Sequence, residues 1–449
     1  MVIDSKYIEN GITAEVLAQL IRRNETDGAR YQMLYDYYKG KHEISGRRKS
    51  EELANNRIVI NHAKYITEMS MAYFLGSPIT YSVSDGYDME AVKDCFSEQN
   101  ISSVDSILEK QASICGRAVE MIWCNEQSQP RSTVVPASCG FVVYDDTVEH
   151  NKLFGVHYYR KQRIDGTIGD YVVRVMDSKC EYIWAGSTVD SLRKVKGKPH
   201  YYGIVPFVEY LNNEEQQGDF EQEISLIDAY NTLMSDRLND KEQFVDAFLL
   251  LLGIDIDSEQ AKKLKAEKIL CGEIDGKAEY LSKSLNEADT EVLRNAIKED
   301  IHKISMVPDL TDAEFAGNMS GVAIKYKLLG FEQNIRNKER LFEKGLRERL
   351  EIYIKILSFK SAMADVPVHR IDVEFHRNLP ANELELSQMI ANLSGLVSDE
   401  TLLSRVPFVT DAKEEAKLAA KERQKKQQAA MDSMTSYKTP VKASEEDEE

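Results

Sequence analysis

The chain has 449 residues, too many for one ordinary core, so two or three packed modules are expected. Hydrophobic residues make up 42%, charged residues 29%, and the formal net charge is −18. That balance reads as soluble and globular, and excludes a protein that grips nucleic acid by broad neutralisation of phosphates. No apolar run approaches the ~18 residues of a membrane span, the longest strong one being "FLLLL" at 248–252. The N-terminal "MVIDSKYIENG" lacks a basic stretch followed by an apolar one, so no secretory signal is expected. Six cysteines (95, 115, 124, 139, 180, 271) are scattered without a CxxC pair, the pattern of free thiols in a reducing compartment.

In chain order, Ile12, Val16, Leu20, Tyr31, Leu34, Tyr35 and Tyr38 recur at helical spacing and predict a helix over 12–38, stopped at Gly40. A polar loop follows at 46–56. A second helix is predicted over 61–75, with Asn61 as N-cap and Gly76 as stop, then a strand at 79–83. From about 117 to 210, short runs rich in Val, Ile, Tyr and Phe predict a mostly antiparallel sheet packed on the N-terminal helices. The turn "IDGTIGD" (164–170) has hairpin character. Helical spacing returns at 221 through Ile227, Tyr230, Met234, Leu238, Val245, Phe248 and Leu252, predicting one long helix over 221–252. Residues 253–286 read as a short mixed module.

A helix over 287–305 is next, capped by Asn286, with Leu293, Ile297, Ile301 and Ile304 on one face. A very long helix is predicted over 320–358, opened by Ser320 and striped by Phe331, Ile335, Phe342, Leu346, Leu350, Tyr353 and Leu357. A strand at 368–375 and helices at 382–395 and 399–405 follow. A charged helix begins after Asp411, and residues 431–449 are expected to be disordered, because they have too little apolar surface to offset ordering entropy. The fold class is α+β, predominantly helical. Between the helices at 287–305 and 320–358 lies a loop with Pro308, Asp309, Asp312, Glu314, Gly317 and Asn318, longer than helix connections usually are.

No catalytic constellation emerges. "GKHEISGRRKS" (40–50) has the wrong spacing for a phosphate loop and reads as a basic surface loop. The eight histidines form no H-E-x-x-H or Cys/His cluster, so neither a metal nor another cofactor is expected. No nucleophile elbow is present. Trp123 and Trp184 sit in strand patterns and read as core. Two predicted helices, 221–252 and 287–305, bracket the small module at 253–286 like an antiparallel stalk with a tip.

Several segments together resemble the portal (head–tail connector) proteins of tailed double-stranded DNA bacteriophages, of the siphophage type that infects Gram-positive bacteria. They are "YYKGKHEI" (37–44), "NNRIVINHAKYITEMSMAYFLGSPITYSV" (55–83), "VPDLTDAEFAGNMSGVAIKYKLLGFE" (307–332), "NLPANELE" (378–385) and "VSDETLLSRVPFVTDAKEE" (397–415), in the family's order. The resemblance implies a non-enzymatic dodecameric ring around an axial channel at one capsid vertex, the conduit for DNA packaging and ejection, from a free phage or a prophage. It implies a wing from 1–220 and 320–378, a stem from 221–252 and 287–305, a clip from 253–286, a tunnel loop at 306–319 and a crown at 379–430. Lys303, Val307, Asp309, Asp312, Phe315, Asn318, Ser320 and Lys325 would then belong to the channel and tunnel loop. Each lysine there reads equally as a solvated helix-face residue, and Phe315 equally as packing on its own stem.

Leu293, Ile297 and Ile301 would pack the stem, and Lys262, Lys263, Lys265 and Lys268 would meet the packaging motor at the clip. The implied partners are further copies of the chain, double-stranded DNA, the terminase large subunit, a head-completion or adaptor protein, and the major capsid and scaffolding proteins, with no membrane. The implied location is the virion, with assembly in the bacterial host cytoplasm. The competing readings are a packaging nuclease or ATPase, opposed by the missing motifs, and a head–tail adaptor of another fold, opposed by the spread of the matching segments.

Overall fold

The computed structural model describes residues 1–9, 11–50, 53–84, 86–245, 248–250, 259, 269–270, 279–281, 287–310, 324, 326–360, 362–377, 383–406, 409 and 412–436. The first helix, α1 (Ala14–Tyr38), starts where the Thr13 hydroxyl accepts from Val16 N. It serves two cores. Leu17, Leu20 and Ile21 pack with Phe141, Phe154 and Trp184, while Tyr31, Leu34, Tyr37 and Tyr38 enter the main helical core. Helix α2 (His62–Leu75) has the expected bounds, with Asn61 Oδ1 accepting from Lys64 N at 2.9 Å and Gly76 at its end. Strand β1 (Thr80–Val83) follows.

Residues 84–116, given no element by periodicity, contain α3 (Glu90–Glu98) and α4 (Ile101–Cys115). Helix α4 buries polar Asp105, Glu109 and Gln111 as well as Leu108 and Ile114, which blurs its apolar stripe. It ends at Gly116, whose φ is +82° and where a Cβ would lie 1.9 Å from the Gln216 carbonyl oxygen, so only glycine fits.

The β region forms two antiparallel sheets instead of one. The strands are β2 (Arg117–Cys124), β3 (Pro130–Val135), β4 (Gly140–Tyr144), β5 (Lys152–Gln162), β6 (Ile168–Met176), β7 (Cys180–Gly186), β8 (Arg193–Pro199) and β9 (Phe207–Leu211). Their orders are β4-β5-β6-β7-β8 and β3-β2-β9. Trp184 is core, whereas Trp123 is only partly buried. Among the described cysteines all are free, Cys95 and Cys115 being buried.

Helix α5 (Ile224–Val245) is shorter than the predicted 221–252. Phe248, expected on the helix, instead opens β10 (Phe248–Leu250), which pairs in parallel with β11 (Ile269–Leu270) and antiparallel with β12 (Glu279–Leu281). A continuous apolar run satisfies either period, so "FLLLL" cannot declare its structure alone. Helix α6 (Glu287–Ser305) has the expected span, and its proposed cap Asn286 lies outside the described residues.

The last long helix, α7 (Leu329–Phe359), carries the expected stripe. Phe331, Ile335, Phe342, Leu346, Leu350, Tyr353 and Leu357 are all buried. The continuous helix is described from Leu329, residues 324, 326 and 327 before it are also helical with Leu328 N donating to Ile324 O, and the predicted opening at Ser320 lies outside the described residues. Strand β13 (Ile371–Glu374) is shorter than the predicted 368–375, because Val368–Arg370 form a 3-10 turn, and it pairs antiparallel with β1. Helices α8 (Glu383–Leu393), α9 (Asp399–Leu403) and α10 (Ala412–Ser436) complete the chain. Helix α10 corrects the expected disorder from 431. Its run of Ala, Lys, Gln and Glu sustains helix through Ser436 without an apolar face, and 437–449 lie outside the described residues.

Candidate functional site

The long connection between α6 and α7 is fastened at both ends to a single helix, α2. At its start, α6 ends at Ser305 and Met306 takes a left-handed φ of +58°, turning the chain sharply. Val307 is then buried, and its carbonyl accepts from His302 Nδ1–H at 2.9 Å. Tyr65 of α2 makes the fastening. Its hydroxyl donates to Pro308 O at 2.9 Å and accepts from Leu310 N at 3.2 Å. The Asp309 carboxylate pairs with Lys298, one to two turns back from the end of α6.

Beneath these contacts lies an aromatic cluster. His62 meets Tyr230 of α5 edge-on at 5.0 Å and His302 at 5.7 Å, and Tyr65 meets His302 at 5.6 Å. Burial, reinforced by His302 and Lys298, lowers His62 to about 4, so it is neutral at pH 7, and its Nε2 has no hydrogen-bond partner. Burial also pushes the Tyr65 phenol up, which keeps it a hydrogen donor.

At the far end of the connection, Tyr73 of α2 packs against Phe331 at 4.8 Å and donates to Glu332 Oε2 at 2.7 Å. Arg336 and Arg377 also reach Glu332, at 3.0 and 3.3 Å, and Arg377 pairs with Glu339. Burial alone would raise Glu332, but Tyr73, Arg336 and Arg377 outweigh it and hold this carboxyl below its usual range. Tyr65 and Tyr73 are about 12 Å apart along α2, at ~1.5 Å per residue. A chain fastened at both ends to one rigid rod can present what lies between without disturbing the core.

The residues singled out from the sequence fall into three groups. Lys303 is exposed on α6, whereas Val307 is buried in the main core and Asp309 is engaged by Lys298, so these last two act as anchors. Asp312, Phe315, Asn318, Ser320 and Lys325 lie outside the described residues, as do Lys262, Lys263, Lys265 and Lys268. On α6, Ile301 is fully buried and Ile297 packs against the core, but Leu293 is 51% exposed and Ile304 is exposed, so the expected common face is only half covered by the chain itself.

Sequence reasoning missed Tyr65, Tyr73 and His62, and it missed two buried ion clusters that lock α7 in place. Arg349 Nη1 lies 2.5 Å from Asp105, and its Nε lies 2.9 Å from Glu120, which also accepts from the Tyr210 hydroxyl at 2.7 Å. Lys338 reaches Asp219 at 2.5 Å and Glu109 at 3.2 Å. A partial signal was present: the apolar stripe of α7 has a gap of seven residues at 335–342, which Lys338 fills in helical register, whereas Arg349 sits beside Leu350 in an unbroken part of the stripe and gave none. Among the described residues no His, Cys, Asp or Glu group is placed to hold a metal, and no helix is long and apolar enough to cross a membrane.

The family model "Phage portal protein, SPP1 Gp6-like" matches residues 17–429. The chain therefore belongs to this family of phage portal proteins, a structural class of virion capsid components. Two relatives, each called "Portal protein", come from Clostridium phage phiCD119 and Bacillus phage SPP1. The first is 25% identical over 82% of this chain and 85% of its own length, and the second 23% identical over 84% and 78%.

Proposed function

We propose that the protein assembles as a dodecameric ring around an axial channel at one capsid vertex, through which double-stranded DNA is packaged and later ejected. The observation that carries this reading is the family match over 17–429, joined to a connection between α6 and α7 whose ends are both held on α2. In this reading α5 and α6 form the stem, and the small sheet β10-β11-β12 belongs to the clip with Lys262, Lys263, Lys265 and Lys268. Residues 306–319 form the tunnel loop that lines the channel, with Lys303 just before it. Residues 1–220 and 320–378 form the wing, and 379–430 the crown. Leu293 and Ile304, exposed on one chain, are covered by the neighbouring copy.

The charge of −18 suits a conduit. Duplex DNA carries one negative charge per about 1.7 Å of axis, and an acidic lining lets it slide with little adhesion. The terminase large subunit docks on the clip during filling, head-completion or adaptor proteins replace it afterwards, and capsid and scaffolding proteins surround the wing. The reading assigns no catalysis to the chain. Native mass spectrometry of the purified assembly, with electron microscopy of the particles, tests it. A closed ring with a central channel is expected; a stable monomer or dimer with nucleotide turnover would refute it.

A further inference from the structure

A cavity of about 380 Å³ opens where the five-stranded sheet, the three-stranded sheet and the C-terminal end of α7 meet, far in sequence from the loop and its anchors. Its volume falls within the range of sites that take a small ligand or a single anchoring side chain. Its wall is aromatic. Tyr201 and Phe359 stack at 5.6 Å with their planes 9° apart, yet remain 69% and 66% exposed. Trp123 and Tyr202 also line it, and His200 stacks on Tyr202 at 4.3 Å. His200 is buried and its Nε2–H donates to Asp177 O at 2.9 Å, which leaves Nδ1 as a buried acceptor with no partner.

The cavity is also cationic, against the sign of the chain. Arg174, Lys198 and Lys360 line it with one carboxylate, Glu181, which pairs with both Arg174 and Lys198 at 3.1 and 2.9 Å. Strand β8 leads into the cavity through Lys198 and Pro199 and continues the positive surface through Arg193, Lys194 and Lys196, all exposed. Lys194 lies over the Tyr182 ring at 3.9 Å, while Arg193 and Lys196 make no ion pair among the described residues.

Strand β8 is the edge of its sheet, which invites the question of strand addition. Its register shifts opposite Ile183 and Trp184, it is dense in lysine, and it ends in Pro199; these features oppose main-chain pairing with another strand. An occupant is therefore held by side chains and charge. We infer that this face docks a segment of a partner protein in which one aromatic side chain is flanked by acidic residues. The aromatic group enters against Tyr201 and Phe359, and the acidic flanks lie along β8.

The test uses the folded full-length chain, in its native assembly, with the fluorescein-labelled peptide Glu-Asp-Glu-Phe-Asp-Glu read by anisotropy. Saturable binding is expected, weakened about tenfold by Phe359→Ala and by raising salt from about 0.05 M to about 0.5 M. Phe359 is exposed, so its replacement leaves the fold intact; Lys198→Glu is the charge counterpart and is expected to weaken binding similarly. Four outcomes overturn the inference. These are no saturable binding, equal affinity for the peptide with Ala in place of Phe, phenylacetate displacing the peptide at equal concentration (a small-molecule site), and binding by dissociated subunits but not by the native assembly (a face covered by a second copy).

Discussion

Replacing Tyr65 with Phe keeps the ring against His302 and deletes only the hydroxyl that fastens the start of the loop. Two hydrogen bonds are lost, to Pro308 O and from Leu310 N, each with a net worth of ~1 kcal/mol. Leu310 is exposed, so water replaces one partner; the Pro308 carbonyl sits at a half-buried residue and is resolvated less well. The anchorage therefore weakens by about 1–2 kcal/mol, and local opening at 306–310 rises about 5–30-fold. The Lys298–Asp309 pair and buried Val307 remain, so the segment loosens without detaching. Hydrogen exchange with mass spectrometry on the assembled protein measures this directly. Faster exchange at the Leu310 amide is expected, with α7 unchanged and heads that retain less DNA. Unchanged exchange at 306–310, or equal acceleration throughout α7, would refute the fastening argument.

Neutral His62 contributes stability that is fully present above the usual histidine value near 6.5 and drains away as pH falls through about 4, a loss of ~3 kcal/mol at most. Glu109 and Glu223, raised to about 7 by burial, act oppositely, favouring the fold below their usual carboxylate range and losing that contribution as pH rises through 7. Denaturant melts should therefore show the stability of wild type falling relative to His62→Phe on acidification, and parallel pH profiles would contradict the assignment. Arg349→Leu strands the buried carboxylates of Asp105 and Glu120 and should cost ~3–5 kcal/mol, much of it recovered on adding Asp105→Asn and Glu120→Gln. Thermal melting checks this, and an unshifted single mutant sinks it. Leu293→Asp and Ile301→Asp should separate folding from assembly. The exposed site should leave a folded chain that fails to form rings, while the buried one should prevent folding, as read by circular dichroism and native mass. Normal rings from Leu293→Asp would place that face in solvent.

Local signals determined much of this protein. Asn61 and Gly76 bound α2, the span 287–305 held for α6, and every apolar residue expected in the α7 stripe is buried, because caps and helical periodicity act within a few residues. The family was legible too, through segments spread along the chain. Other features waited on distant partners. "FLLLL" carries no period, and Phe248 became strand only by pairing with Leu281. Lys338 and Arg349 look like solvated charges until Glu109, Asp219, Asp105 and Glu120 reach them, and Lys338 is 229 positions from Glu109. The loop's own residues suggested something long and exposed. That both its ends hang from α2 depends on Tyr65 meeting Pro308 across 243 positions and Tyr73 meeting Glu332 across 259. A burial pattern shows which face of a helix turns inward; only the packed chain decides what that face meets.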